Sequence, residues 1–211
     1  TDFVGHPMAA RLAILGEEQR NPDLFALLPG SREREVRKIF PALLAAAKIV
    51  LARRPQTVFA SAASSEKLQH LMRDMAAKSG IGCEVGLRNA RDLMQSAAAG
   101  LVASGTATLE ATLCGLPYAL VYKVAPLTYL AGRAVIKVPH LGMANLLAGK
   151  KIVQEFIQQD ATAANLAAES LRLLDDPAYR ATMRKHFQAV RENLQAPATI
   201  TPAQAILDAL I

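Results

Sequence analysis

From Phe25 to Tyr122 the chain alternates short apolar runs with longer amphipathic stretches, and this alternation narrows the fold more than any other feature. The run Phe25-Ala26-Leu27-Leu28-Pro29 reads as a buried strand. Val36, Ile39, Phe40, Leu43, Leu44, Ala47, Val50 and Leu51 follow at helical spacing. Pro41 falls inside that stripe and predicts either a kink or a fresh helix start with proline in its first turn. The pattern then repeats: strands over 57–60, 83–87, 100–103 and 118–122, with helices over 65–78, 91–97 and 107–114 between them. Strands separated in this way run parallel and are joined by crossover helices. Beyond Lys123 helical patterns take over, at 127–136, 144–148, 163–174 and 179–194. A break near Pro197 precedes a last segment, 202–210, that reads as a docking helix or arm. One domain is expected over 25–195, with a lead-in over 1–24 and a C-terminal arm over 196–211.

Composition removes several alternatives. Apolar residues make up 52% of the 211, alanine and leucine dominate and tryptophan is absent, which disfavours an all-β fold. Cys83 and Cys114 stand far apart without CxxC spacing, so neither a disulfide framework nor a structural zinc site is expected, and a reducing, cytoplasmic setting fits. No apolar stretch reaches the roughly 18 residues of a membrane span, and the N-terminus lacks the pattern of an export signal. The formal net charge of +6 favours anionic partners. Nucleic acid is not among those expected, because the basic residues are dispersed and the six Phe and four Tyr are not interleaved with them. The chain opens on Thr1, and TDFVGHP reads as the end of a strand or linker, so a preceding segment is expected; a mature protein starting at Thr1 would contradict this.

In parallel α/β sheets ligands bind beyond the carboxyl ends of the strands, and two such ends carry suggestive residues. In Leu27-Leu28-Pro29-Gly30-Ser31-Arg32 a glycine lets the backbone approach a ligand, the helix start offers free amides, Ser31 can cap or donate, and Arg32 supplies a fork for phosphate oxygens. The alternative is an ordinary strand-to-helix turn with a solvated arginine. In Ser104-Gly105-Thr106-Ala107-Thr108-Leu109-Glu110 the device recurs, and Glu110 lies one turn after Thr106, where a carboxylate can accept both hydroxyls of a ribose. A third stretch, 142–150, contains Asn145, for which spacing alone favours a helix cap over a ligand contact. His6, His70 and His186 have no partner at metal or triad spacing, and no metal site is expected. Ser104 lacks the Gly-x-Ser-x-Gly elbow of serine hydrolases, and neither GxGxxG nor GxxxxGK[ST] is present.

The stretches FVGHP, LLPGSR, ASGTATLE with GLP, VYK and NLLAGK, in this order, resemble the lipid-A-disaccharide synthase family of Gram-negative bacteria, whose members are GT-B glycosyltransferases. The resemblance runs from about Phe3 to the C-terminus and covers the family's C-terminal half. It implies a Rossmann-like parallel sheet with crossover helices and a helical C-terminal tail. It also implies inverting, metal-free transfer of 2,3-diacylglucosamine from UDP to 2,3-diacylglucosamine 1-phosphate, forming a β-1′,6 linkage, with no cofactor.

Carried over residue by residue, the resemblance puts Gly30, Ser31 and Arg32 on the diphosphate, with Ser104, Gly105 and Thr106 lining it and Glu110 on the ribose. Asn145 and Gln158 match two further donor contacts of the family. Met143-Ala144 stands where Leu-Pro is usual, and Gln154 where Pro is common, which bears on the shape of that loop. The implied base is an aspartate of the family's N-terminal half, so this chain alone is expected to bind UDP weakly and to transfer nothing. Implied partners are the UDP-sugar donor, the lipid acceptor and the N-terminal half, and a homodimer is compatible with the sequence. The apolar segment 127–138, with Arg133 and Lys137, suits either the cytoplasmic face of the inner membrane or packing on the sheet. Rival readings are another UDP-sugar enzyme of GT-B type, such as a UDP-N-acetylglucosamine 2-epimerase or the peptidoglycan N-acetylglucosaminyltransferase, and a non-catalytic nucleotide-binding module.

Overall fold

In the computed structural model, which describes residues 16–124 and 140–195, the apolar run around Phe25 belongs to a strand, β1, spanning Asn21–Leu28. Then follow α1 (Glu33–Arg53), β2 (Val58–Ala63), α2 (Glu66–Ser79), β3 (Cys83–Leu87), α3 (Ala90–Ser96), β4 (Ala97–Ala103), α4 (Thr106–Leu113) and β5 (Tyr118–Tyr122). After the undescribed segment come α5 (Met143–Ala148), β6 (Glu155–Ile157), α6 (Ala163–Asp175) and α7 (Pro177–Gln195). The six strands form one sheet in the order β3-β2-β1-β4-β5-β6, every pairing parallel. The order reverses between β1 and β4. There the connections that follow the two parallel strands lead to opposite sides, toward β2 and toward β5, and the loops part to open a crevice.

Burial explains why these segments are strands. All seven residues of β4, Ala-Ala-Ala-Gly-Leu-Val-Ala, are buried, so both faces of the sheet are covered there. Small residues let β4 sit tightly against β1: a Cβ on Gly100 would lie 2.9 Å from the Ala26 carbonyl oxygen. α1 packs against α2 and α6, while α4 packs against α5 and α7. Within the core, Phe25 meets Phe59 edge to face at 5.8 Å and Tyr118 stacks on Phe187 at 5.7 Å. The Tyr118 hydroxyl donates to the Thr108 carbonyl at 3.0 Å, so this fully buried ring keeps its polar tip paired.

Several expectations change. β1 begins at Asn21, four residues before the apolar run read as its start, and the short turn Glu17–Gln19 pairs with α7 through Glu17, Arg180 and Arg184. α1 runs unbroken through Pro41, so the helix does not restart there: eight buried apolar side chains along its inner face outweigh the one amide that proline lacks. β6 escaped the sequence pattern because three residues are too few to show a period of two. Segments 127–136 and 202–210 lie outside the described residues. No described helix is long and apolar enough to cross a membrane. Both thiols are free, and burial pushes Cys83 up to about 12 and Cys114 up to about 11, leaving them protonated at neutral pH.

Between α6 and α7 a buried carboxylate makes stability depend on pH. The Tyr179 hydroxyl donates to Glu169 Oε1 at 2.8 Å, and the Arg172 guanidinium lies 3.8 Å over the Tyr179 ring. Burial raises the Glu169 carboxyl above its usual range, against a smaller lowering by the Tyr179 hydrogen bond. The folded protein therefore holds a proton at a pH where the unfolded chain has released it, so stability present below about pH 4.5 declines as pH rises through the folded value. Glu169→Gln removes this loss. Its melting temperature at pH 8 is expected to exceed that of the parent, with the difference vanishing in acid; a constant difference across pH would contradict the assignment.

Candidate functional site

A cleft of about 720 Å³ opens at the carboxyl ends of β1 to β4. Its floor is Leu28 and Ala103, the last residues of β1 and β4, with Ala63 at the end of β2. Its walls are the bends that follow. Gly30 has φ +109° and Gly105 has φ +147°, values that L side chains adopt only under strain, and both glycines line the cleft. Ser31, Arg32, Ser104, Thr106 and Glu110 line it too, so seven of the nine residues singled out in the sequence share one crevice.

The two bends feed helices whose first turns lack side-chain caps. Arg32 is the N-cap of α1 and Gly105 that of α4, and neither provides a capping hydrogen bond. Three other helices are capped, Ser65 accepting from Leu68 N, Asn89 from Arg91 N and Thr162 from Asn165 N, while α5, with Gly142 as N-cap, is not. Uncapped first-turn amides and the positive helix end favour an anion, and here two such ends face one cavity. Ser104 is held in register by its amide, which donates to the Val121 carbonyl at 2.9 Å.

Charges on the walls come in pairs. Arg32 Nη1 lies 3.0 Å from Glu35 Oε1, with the Arg32 side chain 82% exposed. An i,i+3 pair so open to water is worth only about 0–1 kcal/mol, so phosphate can recruit the guanidinium at little cost. Glu110, 21% exposed, accepts from Arg91 Nη2 at 2.9 Å and from Arg91 Nε at 3.3 Å. Arg88, at the end of β3, adds a cation to the rim. Arg88 and Arg91 were missed because 88–91 carries no glycine, although the signal was available: this stretch also follows a strand and opens a helix.

Asn145 and Gln158 stand apart from the cleft lining. The N-cap of α5 is Gly142, and Asn145 lies inside that helix, fully buried. Its Nδ2 donates to the Val153 carbonyl at 2.9 Å and to Glu155 Oε1 at 2.8 Å, while its Oδ1 accepts from Ile152 N and Val153 N. All four of its hydrogen bonds are therefore made within the chain, and its place inside the helix, with Gly142 as the N-cap, corrects the capping expectation. Asn145→Ala is expected to cost about 2 kcal/mol in urea unfolding without changing nucleotide affinity; unchanged stability with lost affinity would reverse the assignment. Gln158, at φ +51°, accepts from Val124 N at 3.0 Å through Oε1 and so ties the end of β5 to the turn after β6. Among the described residues no cluster of His, Cys, Asp and Glu has the arrangement to hold a metal ion.

Comparison with known proteins gives a consistent family. The family model described as lipid-A-disaccharide synthetase matches residues 1–208. The lipid-A-disaccharide synthase of Geobacter sulfurreducens is 38% identical over 201 residues, covering 91% of this chain and 52% of that protein. The enzyme of the same name from Neisseria meningitidis serogroup A is 34% identical over 220 residues, covering 98% of this chain and 57% of that protein. This chain thus spans about half the length of the curated relatives it matches. In fold it is similar to Anabaena HepE, solved in complex with UDP and glucose, with a TM-score of 0.55 at 16% identity over 92% of this chain and 49% of that one.

Proposed function

Because this chain belongs to the lipid-A-disaccharide synthetase family, we propose that its cleft holds the donor of a glycosyl transfer, UDP-2,3-diacylglucosamine. The acceptor is 2,3-diacylglucosamine 1-phosphate and the product the β-1′,6-linked disaccharide. One observation carries the reading: two uncapped helix starts, on adjacent strands β1 and β4 at the reversal of strand order, open into one cavity with a carboxylate a turn inside the second. The amides after Gly30 and Gly105 hold the diphosphate, with Ser31, Ser104 and Thr106 beside it. Arg32 releases Glu35 and closes on the phosphate oxygens, and Glu110 accepts from the ribose hydroxyls.

In an inverting transfer the acceptor hydroxyl attacks the anomeric carbon as the bond to UDP breaks, and negative charge grows on the departing β-phosphate. Preorganised amides and a guanidinium stabilise that charge more in the transition state than in the ground state. Deprotonation of the attacking hydroxyl requires a base, which the family resemblance assigns to an aspartate of the N-terminal half. The acyl chains of both substrates require access to a bilayer, and segment 127–138 is the proposed contact; sedimentation with anionic vesicles tests it, and binding indifferent to lipid would count against it.

Thermal denaturation with nucleotides tests the donor reading. UDP at a hundred times its dissociation constant raises stability by about 2.7 kcal/mol, and UMP, lacking the second phosphate, is expected to do much less. Arg32→Ala is expected to weaken UDP binding about tenfold, one charge-assisted hydrogen-bond pair being lost. Equal stabilisation by UDP and UMP, or undiminished binding in Arg32→Ala, would contradict the proposal.

A further inference from the structure

Arg91 stands close to Glu110 without lining the cleft, and its contacts define a role. It is the second residue of α3, a helix whose start Asn89 fixes by accepting from the Arg91 amide at 3.0 Å. From that anchored position its side chain crosses to α4, where Nη2 and Nε both point at one oxygen, Glu110 Oε1. Two donors on a single oxygen hold the carboxylate in one rotation and leave Oε2 to accept from a ligand. The pair also solves an electrostatic conflict. A carboxylate beside a diphosphate repels it, and a guanidinium on the carboxylate's other oxygen offsets that repulsion while preserving its acceptor strength.

We infer that Arg91 is the positioning residue for Glu110, orienting its carboxylate toward the vicinal hydroxyls of the nucleoside and so setting the preference for ribose over 2′-deoxyribose. The inference rests on the donor reading above. Arg91 itself touches no substrate; its effect passes through Glu110. Lysine cannot direct two N–H groups from a planar fork at one oxygen, so it restores the charge without the orientation.

The test measures dissociation constants of the chain for UDP and 2′-deoxy-UDP by calorimetry. The parent protein is expected to prefer UDP about tenfold, the effect of one hydrogen bond to a charged acceptor. In Arg91→Met that preference falls to about twofold or less, while inorganic pyrophosphate competes as well as it does against the parent. Arg91→Lys lies between. Arg91→Met combined with Glu110→Gln discriminates no worse than Glu110→Gln alone, because the two residues act as one unit. A parent protein that binds UDP and 2′-deoxy-UDP equally overturns the ribose role of Glu110 and with it the inference about Arg91, whereas a parent that binds neither overturns the donor reading. A parent that discriminates, with Arg91→Met discriminating equally well, overturns the inference about Arg91 alone. Melting temperatures of the variants accompany the titrations. A uniform loss of affinity for UDP, 2′-deoxy-UDP and pyrophosphate together would also overturn it, since that is the mark of a general structural role.

Discussion

Replacing Gly30 and Gly105 together by alanine is expected to lower UDP affinity by about a hundredfold, and each replacement alone by about tenfold. The cause is backbone conformation, not lost contact. At φ +109° and +147° an L residue is strained by roughly 1–3 kcal/mol. The free variant relaxes to another bend, and binding must then restore the original one at the expense of affinity. At Gly30 a Cβ would in addition crowd the Glu35 side chain, the partner of Arg32. At Gly105 nothing lies within 4 Å of the added carbon, so conformation alone acts there. Gly80 provides the control: it ends α2 at φ +69° with open space around it and is not part of the cleft. Gly80→Ala should cost stability of about 1 kcal/mol and leave UDP affinity unchanged. Calorimetric titration of the four variants checks the set, and a Gly80→Ala effect equal to the others would remove the special status of the two bends.

The largest stability effect is expected at a residue that does not line the cleft. Arg20 is 5% exposed and donates to the carbonyls of Met94 at 2.8 Å, Ala97 at 2.9 Å and Cys114 at 2.6 Å. Met94 and Ala97 close α3, and Cys114 closes α4, so one guanidinium satisfies the carbonyl ends of both helices. Burial, with the nearby Arg184 charge, brings its pKa down to about 10, still well above neutral pH. Arg20→Ala removes the guanidinium donor from three buried carbonyls and is expected to cost about 3 kcal/mol or more. For a domain of this size that is a melting temperature lower by about 6–12 °C. Arg20→Lys should recover only part, one ammonium lacking the planar spread to reach all three oxygens. A loss below about 1 kcal/mol for Arg20→Ala in chemical denaturation would contradict the account. Since the N-termini of α3 and α4 both line the cleft, this arginine anchors the far ends of two helices that build the site.

What could be read from the sequence depended on whether the physical signal was local. The alternation of apolar runs fixed β1 to β5 and their crossover helices to within a few residues, because buried parallel strands need continuous apolar stretches and their helices need a 3.6-residue stripe. Gly30 and Gly105 were legible because a glycine between strand and helix has few other uses. Arg20 was not. Its importance lies in carbonyls 74 to 94 residues away, and along the chain it is one more arginine in a polar stretch. Asn145 misled for the same reason: an asparagine near a helix start suggests a cap, whereas its partners, Ile152, Val153 and Glu155, come from the loop after the helix and from β6. Arg91 was invisible until the fold placed α3 beside α4, nineteen residues along the chain.

Mapping amide chemical shifts during a UDP titration addresses the binding arrangement most directly, because it reads the two helix starts separately. The amides of Ser31, Arg32 and Glu33 and those of Gly105, Thr106 and Ala107 should move together along one saturation curve, with Asn145 and its partners unmoved. Shifts confined to one of the two groups, or gathered around Asn145 instead, would mean that no anion is shared between them.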